Sequence, residues 1–248
     1  MENLSKNKPK FFRAIVKIIK LFYKKREVDG EENILDVPTI YVGNHAQMHG
    51  PLTSSLYFPF DGKVWCRGEM MNIKEAPSYA YQDFWSKKPK CIKWLFKILS
   101  FCIAPISWYL FTRAETIAVY KDTRIITTFK NSVNALQNGK SIIIFPEEAT
   151  PFNEIINEFQ NKFVDIAKLY SIRSKKSISF VPFYNAVELK KVVFGKPIQF
   201  DPQKDINEQR NGICDYLKTE ITRMAKELPA HTVVPYLNVK KKDYPRSK

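Results

Sequence analysis

The segment Ser141-Ile142-Ile143-Ile144-Phe145 is a continuous apolar run of strand length, and Ile178–Val181 is of the same kind. A strand without polar alternation is typical of a sheet that is covered on both faces. We predict strands at Thr39–Gly43, Lys63–Cys66, Thr116–Val119, Ser141–Phe145, Ile178–Pro182 and Lys191–Phe194. We predict helices at Pro51–Tyr57, Asp122–Gln137, Glu154–Tyr170 and Ile206–Leu228. Because strands and helices alternate, we expect an α/β fold with a mixed, mostly parallel sheet covered by helices.

The composition is that of one globular domain with additions. The chain has 248 residues, of which 44% are hydrophobic, which is too apolar for a disordered chain and sufficient for one core. Its four cysteines have no paired spacing and it contains only three histidines, so we expect neither a disulfide scaffold nor a metal site. It has no Gly-x-Gly-x-x-Gly or Gly-x-x-x-x-Gly-Lys-[Ser/Thr] motif, which excludes nucleotide-binding loops of those types. A reducing, cytoplasmic compartment fits this composition.

Basic residues are in excess, with 40 Lys and Arg against 25 Asp and Glu, and the formal net charge is +15. Nine basic and no acidic residues lie between Lys6 and Arg26. This imbalance predicts an anionic partner, either an anionic membrane surface or a nucleic acid. We divide the chain into a basic amphipathic segment (1–30), an α/β domain (31–238) with an apolar insertion at about 88–111, and a frayed basic tail (239–248).

The segment Lys10–Lys24 has the spacing of an amphipathic helix. Its charges recur every three or four residues on one side, and a wide apolar face lies opposite them. Such a helix lies in the plane of a bilayer, with its apolar side chains in the acyl boundary and its basic side chains on anionic headgroups. The alternative is a helix that docks on the domain core and leaves its basic face in water.

A second apolar stretch, Trp94–Phe111, contains Lys97 as its only charge and Pro105 in its interior. Its length is near the lower limit for spanning a bilayer, and the proline interrupts it. We therefore expect a buried helix pair or a hairpin that dips into one leaflet. The protein would then be peripheral or monotopic, on the cytoplasmic face of a membrane.

A candidate site begins at Asn44-His45, directly after the strand Thr39–Gly43. Sites in α/β sheets are built where strands end, and a neutral imidazole there can act as a general base on an alcohol. By itself, a histidine after a strand is structural as often as it is catalytic. The argument for His45 therefore depends on the motifs that follow it.

Four further motifs follow in order: Ile117-Ala118-Val119-Tyr120-Lys121, Phe145-Pro146-Glu147, Val181-Pro182-Phe183 and Gly195-Lys196-Pro197-Ile198. Together with Asn44-His45 they resemble the motifs of the glycerolipid acyltransferases of the 1-acylglycerol-3-phosphate acyltransferase family. That family carries an Asn-His-x-x-x-x-Asp block, an apolar strand ending in Arg, a Phe-Pro-Glu-Gly-Thr-Arg block and an apolar-Pro-apolar strand, often followed by Gly-x-Pro-Ile. The resemblance extends over Thr39–Ile198.

The resemblance implies an acyl transfer in which His45 is the catalytic base. His45 would deprotonate an acceptor hydroxyl, which attacks an acyl thioester without a covalent enzyme intermediate. The co-substrate would be acyl-CoA or an acyl carrier protein thioester, with no cofactor and no metal. The substrate-binding residues implied by the resemblance are Asn44, Lys121, Arg124, Phe145, Pro146, Glu147 and Thr150.

The chain departs from the family pattern in the first block. Gly50 stands where the family has the aspartate that orients and charges the imidazole, and loss of such a partner is costly in related triads. The groups that could orient His45 instead are Glu69, Asp83, Glu147 and His49.

The second and third blocks also differ. Glu147-Glu148-Ala149-Thr150 lacks the glycine and the arginine that meet an acceptor phosphate, and Glu148 would repel that group. Lys121 takes the position of the second-block arginine and binds phosphate as a point charge, where Arg124 or Arg113 could help.

The sequence thus predicts a membrane-associated acyltransferase that moves a fatty acyl group from an acyl thioester to a lysophospholipid-like hydroxyl. Its partners would be anionic membrane lipids and the thioester donor. The departures favour a second hypothesis, a catalytically inactive acyltransferase-like protein that binds lipid at the membrane. The charge raises a third, a nucleic-acid binder. Basic residues backed by phenylalanine and isoleucine suit a bilayer better, and no recognition motif is present, so we expect no specific nucleic acid partner.

Overall fold

The computed structural model describes residues 8–85 and 89–248, apart from the side chains of Asp83, Phe84 and Lys90. The start of the predicted amphipathic segment (1–7) and the first residue of the predicted insertion (88) lie outside the described residues. Within them, the strands are β1 Glu27–Asp29, β2 Ile40–Gly43, β3 Gly62–Arg67, β4 Ile117–Val119, β5 Ser141–Ile144, β6 Glu147–Phe152, β7 Asn157–Phe159, β8 Ser179–Ala186, β9 Lys191–Phe194 and β10 Ile198–Gln199. The α-helices are α1 Lys10–Phe22, α2 His49–Tyr57, α3 Ala76–Ala80, α4 Lys93–Arg113, α5 Ile125–Gln137, α6 Asp165–Ser174 and α7 Ile206–Glu227.

The strands form one large sheet in the order β1-β9-β8-β2-β5-β3-β4, with β10 added beside β8. The strands from β8 through β2, β5 and β3 to β4 are parallel neighbours, whereas β9 and β10 pair with β8 in the antiparallel sense. The prediction of a mixed, mostly parallel sheet is therefore confirmed. All six predicted strands are present, five of them with ends that shift by at most one residue, whereas β8 extends four residues beyond its predicted end, to Ala186.

The central strands are apolar because both of their faces are covered. Alternate residues of a strand point to opposite faces. Ile40 and Val42 of β2 belong to a core that α5, α6 and α7 cover, while Tyr41 between them belongs to the opposite core with Phe58 and Phe183. All the residues of β2 and β5 are buried. This two-sided burial is what the run Ser141–Phe145 predicted.

The predicted helix at Glu154–Tyr170 is wrong in its first half. Residues Asn157–Phe159 form a strand that pairs with β6 in an antiparallel hairpin, and α6 begins only at Asp165. The side chain of Asn153 accepts hydrogen bonds from the backbone N–H groups of Ile155 (3.1 Å) and Ile156 (2.8 Å), which stabilises a turn in place of a helix. The hairpin strand β7 was not predicted.

The segment Trp94–Phe111 does not form a helix pair or a hairpin, so that prediction is wrong. It belongs to the single helix α4, which runs unbroken through Pro105. Ser100, Ala104 and Ser107 form its buried stripe on both sides of the proline, and α4 packs against α3. This continuous packing holds the helix together where the proline removes a hydrogen bond. Within the described chain, α4 alone is long and apolar enough to cross a membrane. Only 17% of its most apolar stretch of 18 residues is buried.

The two ends of the chain both lie against the domain. Helix α1 contacts α4 through Phe11 and Tyr109, whose ring centroids lie 5.5 Å apart. At the other end, the backbone N–H of Ser247 donates to the carbonyl of His231 at 2.9 Å, and Val233 donates to Pro245 at 2.9 Å. The expectation of a frayed tail is therefore wrong, because buried His231 and Ser247 tie the last residues down.

Candidate active site

The candidate site lies along one edge of the sheet. Because β2, β5, β3 and β4 are parallel, their carboxyl ends share this edge. His45 follows β2, Phe145-Pro146 follows β5, and Lys121 follows β4. With neighbouring strands about 4.8 Å apart, the ends of β2 and β4 are about 14 Å from each other. The topology therefore brings the first and third sequence motifs next to each other and places the second motif further away.

His45 is partly buried and lines a large cleft. Its ring contacts Phe145 and Tyr236 edge to face, with centroid distances of 5.4 Å to each. The ring nitrogen Nδ1 is fully covered and has no hydrogen-bond partner among the described residues. Burial lowers the pKa of His45 to about 4, and a backbone interaction with Gln47 opposes this effect. The imidazole is thus neutral at pH 7.

Glu147 holds the backbone of His45, not its ring. Its Oε1 accepts a hydrogen bond from the backbone N–H of His45 at 2.6 Å, and its Oε2 accepts one from Asn157 at 3.0 Å. The side chain is only 4% exposed. Burial raises the pKa of Glu147 to about 7, although the two backbone donors act in the opposite direction. Glu147 therefore joins the turn at His45 to the hairpin β6–β7.

The side chain of Asn44 is hydrogen-bonded to a strand of the sheet. Its Oδ1 accepts from the backbone N–H of Asn185 at 2.7 Å, and its Nδ2 donates to the carbonyl of Asn185 at 3.3 Å. Asn44 is 2% exposed and its side chain extends the pairing of β2 with β8. It positions the residue that precedes His45.

The turn that follows His45 has an unusual backbone. Ala46 and Gln47 both have positive φ angles, 45° and 55°, which residues other than glycine rarely adopt. The turn closes through a hydrogen bond from the N–H of Gly50 to the carbonyl of His45 at 2.9 Å. A Cβ atom on Gly50 would lie 2.6 Å from that carbonyl oxygen and 2.7 Å from the oxygen of Asn44. Position 50 therefore has no room for the aspartate that the family pattern places there.

Tyr23, just beyond α1, forms hydrogen bonds with the residues that follow the same turn. Its hydroxyl lies 3.2 Å from Nδ1 of His49, 3.2 Å from the carbonyl oxygen of His49 and 2.9 Å from Oγ1 of Thr53. Asn185 donates from Nδ2 to the same Oγ1 at 3.2 Å. Hydrogen bonds thus connect the end of α1 to both ends of the turn that carries His45.

Sequence reasoning missed Tyr23, Asn185 and Tyr236. Tyr23 follows a basic amphipathic helix, where an aromatic residue is expected at a membrane interface, and the other two lie far along the chain from His45. No local pattern marks any of them as a neighbour of the site.

The structure separates the groups that could orient His45. Glu147 contacts its backbone, His49 contacts Tyr23, and Oε1 of Glu69 pairs with Arg67 at 3.1 Å. The side chain of Asp83 lies outside the described part of the chain. No carboxylate among the described side chains hydrogen-bonds to the imidazole.

The predicted substrate-binding residues are distributed unevenly. Phe145, Pro146, Glu147 and Lys121 line the cleft, whereas exposed Thr150 lies on β6 and is not part of the lining. Arg124 is also exposed and forms ion pairs with Asp122 at 2.7 Å and Glu75 at 3.1 Å. Its guanidinium also lies 3.8 Å from the ring centroid of Tyr120.

The cleft has a volume of about 2200 Å³ and a mostly apolar lining. Its lining combines residues at the carboxyl ends of the strands, including His45, with residues of the helices α1 and α4. Helix α1 contributes Phe12, Val16 and Ile19, and α4 contributes Ile103, Ile106 and Leu110. A cleft of this size exceeds what most small-molecule sites need and can take long apolar chains.

The sheet, the helices and the cleft together form an α/β fold with a mixed, mostly parallel sheet. Among solved structures, the chain is similar to the crystal structure of the 1-acyl-sn-glycerophosphate (LPA) acyltransferase PlsC from Thermotoga maritima, with a TM-score of 0.50 and 16% identity. The similarity covers 87% of this chain and 78% of that one. At this identity the likeness concerns the fold. No protein-family model and no curated protein matches the sequence.

Proposed function

We propose that this protein is a membrane-associated acyltransferase that moves a fatty acyl group from an acyl thioester to the hydroxyl of a lysophospholipid-like acceptor. The observation that carries the proposal is the position of His45. It follows a parallel strand, it is neutral at pH 7, and it opens on an apolar cleft large enough for acyl chains. The fold shared with an LPA acyltransferase supports the same class of reaction.

The proposed chemistry uses His45 as general base and then as general acid. Nε2 takes the proton of the acceptor hydroxyl while that oxygen attacks the thioester carbonyl. The tetrahedral intermediate collapses, the carbon–sulfur bond breaks, and the thiolate takes the proton back from the imidazolium. No metal or cofactor enters these steps. Since the pKa of His45 is about 4, the ring is unprotonated at pH 7 and acts as a weak base.

The proposed membrane contact is made by α1 and α4. Leu21 and Phe22 of α1 are 75% and 86% exposed, and Trp94 and Phe101 of α4 are 64% and 69% exposed. Neither helix contains an acidic residue, and both carry lysines, which suits anionic headgroups. Because the same helices line the cleft, a lipid acceptor could enter it from the bilayer. The cytoplasmic face is the side on which an acyl thioester would be supplied.

The test is an acyl-transfer assay with vesicles that contain a mixed lysolipid pool. The full chain and His45→Ala are each given labelled acyl-CoA and, separately, an acyl carrier protein thioester. We expect a labelled diacyl product from the wild type and a loss of at least about 100-fold in the variant. Added imidazole should restore part of this loss, because it can occupy the space that the side chain leaves. Equal circular dichroism and vesicle binding would show that the variant is folded. Full activity of His45→Ala would contradict the proposal.

A second function is favoured by one observation, the imidazole Nδ1 without a carboxylate partner beside Gly50. The second function is that of an inactive acyltransferase-like protein that binds lipid in the cleft. It predicts no product from either thioester, together with lipid binding that is equal in the wild type and in His45→Ala.

A further inference from the structure

The chain ends in a loop whose two ends are joined to each other. Thr232 and Arg246 form an antiparallel bridge. Just before this bridge, Nε2 of the buried His231 lies 2.9 Å from the hydroxyl oxygen of Tyr184 on β8. The residues between the two sides of the bridge (233–245), here called the C-terminal loop, are therefore fixed to the sheet at their base.

The C-terminal loop contacts the turn that carries His45. Nε2 of Gln47, in the part of the turn with positive φ angles, donates to the hydroxyl of Tyr244 at 2.8 Å and to the carbonyl of Leu237 at 3.5 Å. Between these contacts and the base of the loop, the ring of Tyr236 lies against the imidazole of His45. The loop thus brings an aromatic side chain to the site from outside the strand-end motifs.

The imidazole of His45 has an aromatic ring from each of two distant segments beside it. The ring planes of Phe145 and Tyr236 are inclined to the imidazole by 81° and 86°, and both centroid distances are 5.4 Å. Such edge-to-face pairs are favourable because the positive edge of one ring meets the negative face of the other. Phe145 is itself held by an edge-to-face contact with buried Phe183 at 5.7 Å. The two contacts together restrain the imidazole more than either would alone.

Hydrogen bonding at Nδ1 does not supply this restraint. Nδ1 of His45 is fully covered and has no partner among the described residues, and Glu147 bonds to the backbone of His45. A carboxylate from position 50 could not enter, since a Cβ atom on Gly50 would lie 2.7 Å from Cε1 of Phe145. The orientation of the imidazole therefore depends on its aromatic neighbours.

We propose that Tyr236 is a positioning residue for His45, whose imidazole it holds, together with Phe145, in the orientation that accepts the proton of the acceptor hydroxyl. The two rings would supply the orientation that a carboxylate gives through a hydrogen bond, but not its negative charge. The effect on proton transfer rests on the proposed function, whereas the restraint on the imidazole does not. Tyr236 also lines the cleft, so its effect on the base must be separated from any contact with substrate.

The experiment compares variants of the full chain in the vesicle assay and by NMR. Tyr236→Leu and Tyr236→Met each remove the ring and keep apolar bulk, and Tyr236→Phe keeps the ring. Tyr216→Leu is the matched control, because Tyr216 is a partly buried tyrosine on α7 that does not line the cleft. We measure kcat and the KM for the acceptor. In the absence of substrates, we measure carbon NMR relaxation at Cε1 of His45, whose signal is assigned by its loss in His45→Ala.

We expect Tyr236→Leu and Tyr236→Met to lower kcat about tenfold and to change KM by less than about twofold, because the orientation of a base affects the transition state and not substrate binding. Tyr236→Phe and Tyr216→Leu should keep kcat within about twofold of the wild type. The imidazole should move with larger amplitude in Tyr236→Leu and Tyr236→Met, and as in the wild type in Tyr236→Phe. Circular dichroism confirms that each variant is folded.

Three results would overturn the proposal. A higher KM at unchanged kcat would mean that Tyr236 only contacts substrate. Equal losses in Tyr236→Phe and Tyr236→Leu would mean that the ring is not what matters, and equal imidazole motion in every variant would mean that the ring restrains nothing. If the wild type forms no product, the proposed function fails and the relaxation measurement alone decides: larger motion without the ring supports the positioning role, and unchanged motion rejects it.

Discussion

The two ends of the cleft follow the family pattern in opposite ways. At the β4 end, Lys121 takes the position of the family's arginine, and the nearby Arg124 is paired with Asp122 and Glu75. At the β2 end, the predicted aspartate is absent, but Glu147, Asn185 and Tyr23 hold the turn that carries His45. A cation near the motif can thus be paired with other residues, and residues distant in sequence can hold the backbone of a turn whose histidine ring has no carboxylate partner among the described residues.

The strongest test of this comparison is Glu147→Ala at the β2 end. It would leave the backbone N–H groups of His45 and Asn157 buried without an acceptor. We expect the free energy of unfolding to fall by about 4 kcal/mol, since each lost bond involves a carboxylate. Urea denaturation measures this change. The neighbouring exposed Glu148→Ala is the control and should change stability by less than about 0.5 kcal/mol. Equal effects of the two changes would show that the hydrogen bonds of Glu147 do not hold this turn.

The pH dependence of stability tests the same pair of residues. The pKa of His45 is about 4 when folded and 6.5 ordinarily, so the free energy of unfolding falls as the pH drops from 6.5 to 4. The pKa of Glu147 is about 7 when folded and 4.5 ordinarily, so the free energy of unfolding falls as the pH rises from 4.5 to 7. In the wild type the two trends oppose each other.

Removing one residue should therefore expose the trend of the other. Between pH 4.5 and 6.5, His45→Gln should lose about 2 to 3 kcal/mol as the pH rises, and Glu147→Gln a similar amount as the pH falls. Denaturation curves at several pH values measure both slopes. Identical slopes in the wild type and both variants would mean that neither residue titrates as the burial of the site requires.

Gly50→Ala tests whether the turn excludes a side chain. The added Cβ would lie within 2.7 Å of two carbonyl oxygens, and we expect a loss of about 2 kcal/mol. In α7, a Cβ on Gly212 would meet no other atom within 4 Å, so Gly212→Ala should stabilise the protein by about 0.5 to 1 kcal/mol. Because position 50 is crowded, Gly50→Asp should not raise acyl transfer above the wild type. A more active Gly50→Asp enzyme would show that the turn can adopt the family geometry.

The smallest expected effect is that of Tyr23→Phe. The change removes the hydroxyl that contacts His49 and Thr53, and should cost about 1 kcal/mol of stability. It should also lower the rate of acyl transfer several-fold, with vesicle binding unchanged. Tyr109→Phe is the control, because Tyr109 packs on α1 but its hydroxyl forms no hydrogen bond in the described chain. If both variants behave alike, the link from α1 to the turn does not position His45.

The sequence predicted the helices and strands where one residue pattern dominated. The helix at Ile206–Leu228 ends within one residue of its prediction, and α1 lies within Lys10–Lys24. The prediction of a helix from Glu154 was wrong because the Asn153 side chain favours a turn and Glu147 holds Asn157 in the hairpin. The unbroken α4 could not be predicted either. Its buried small residues can be recognised as a packing face only when the neighbouring helix is known.

Local sequence patterns are enough to establish the covered sheet, the basic amphipathic helix α1 and the place of His45 at the end of a strand. These features follow from periodicity and from apolar runs, which act over a few residues. The groups that hold His45 depend instead on the three-dimensional arrangement. Glu147 and His45 are 102 positions apart, and Asn44 and Asn185 are 141 apart. Such pairs meet because parallel strands bring their carboxyl ends to one edge, and burial there sets their hydrogen bonds and pKa values.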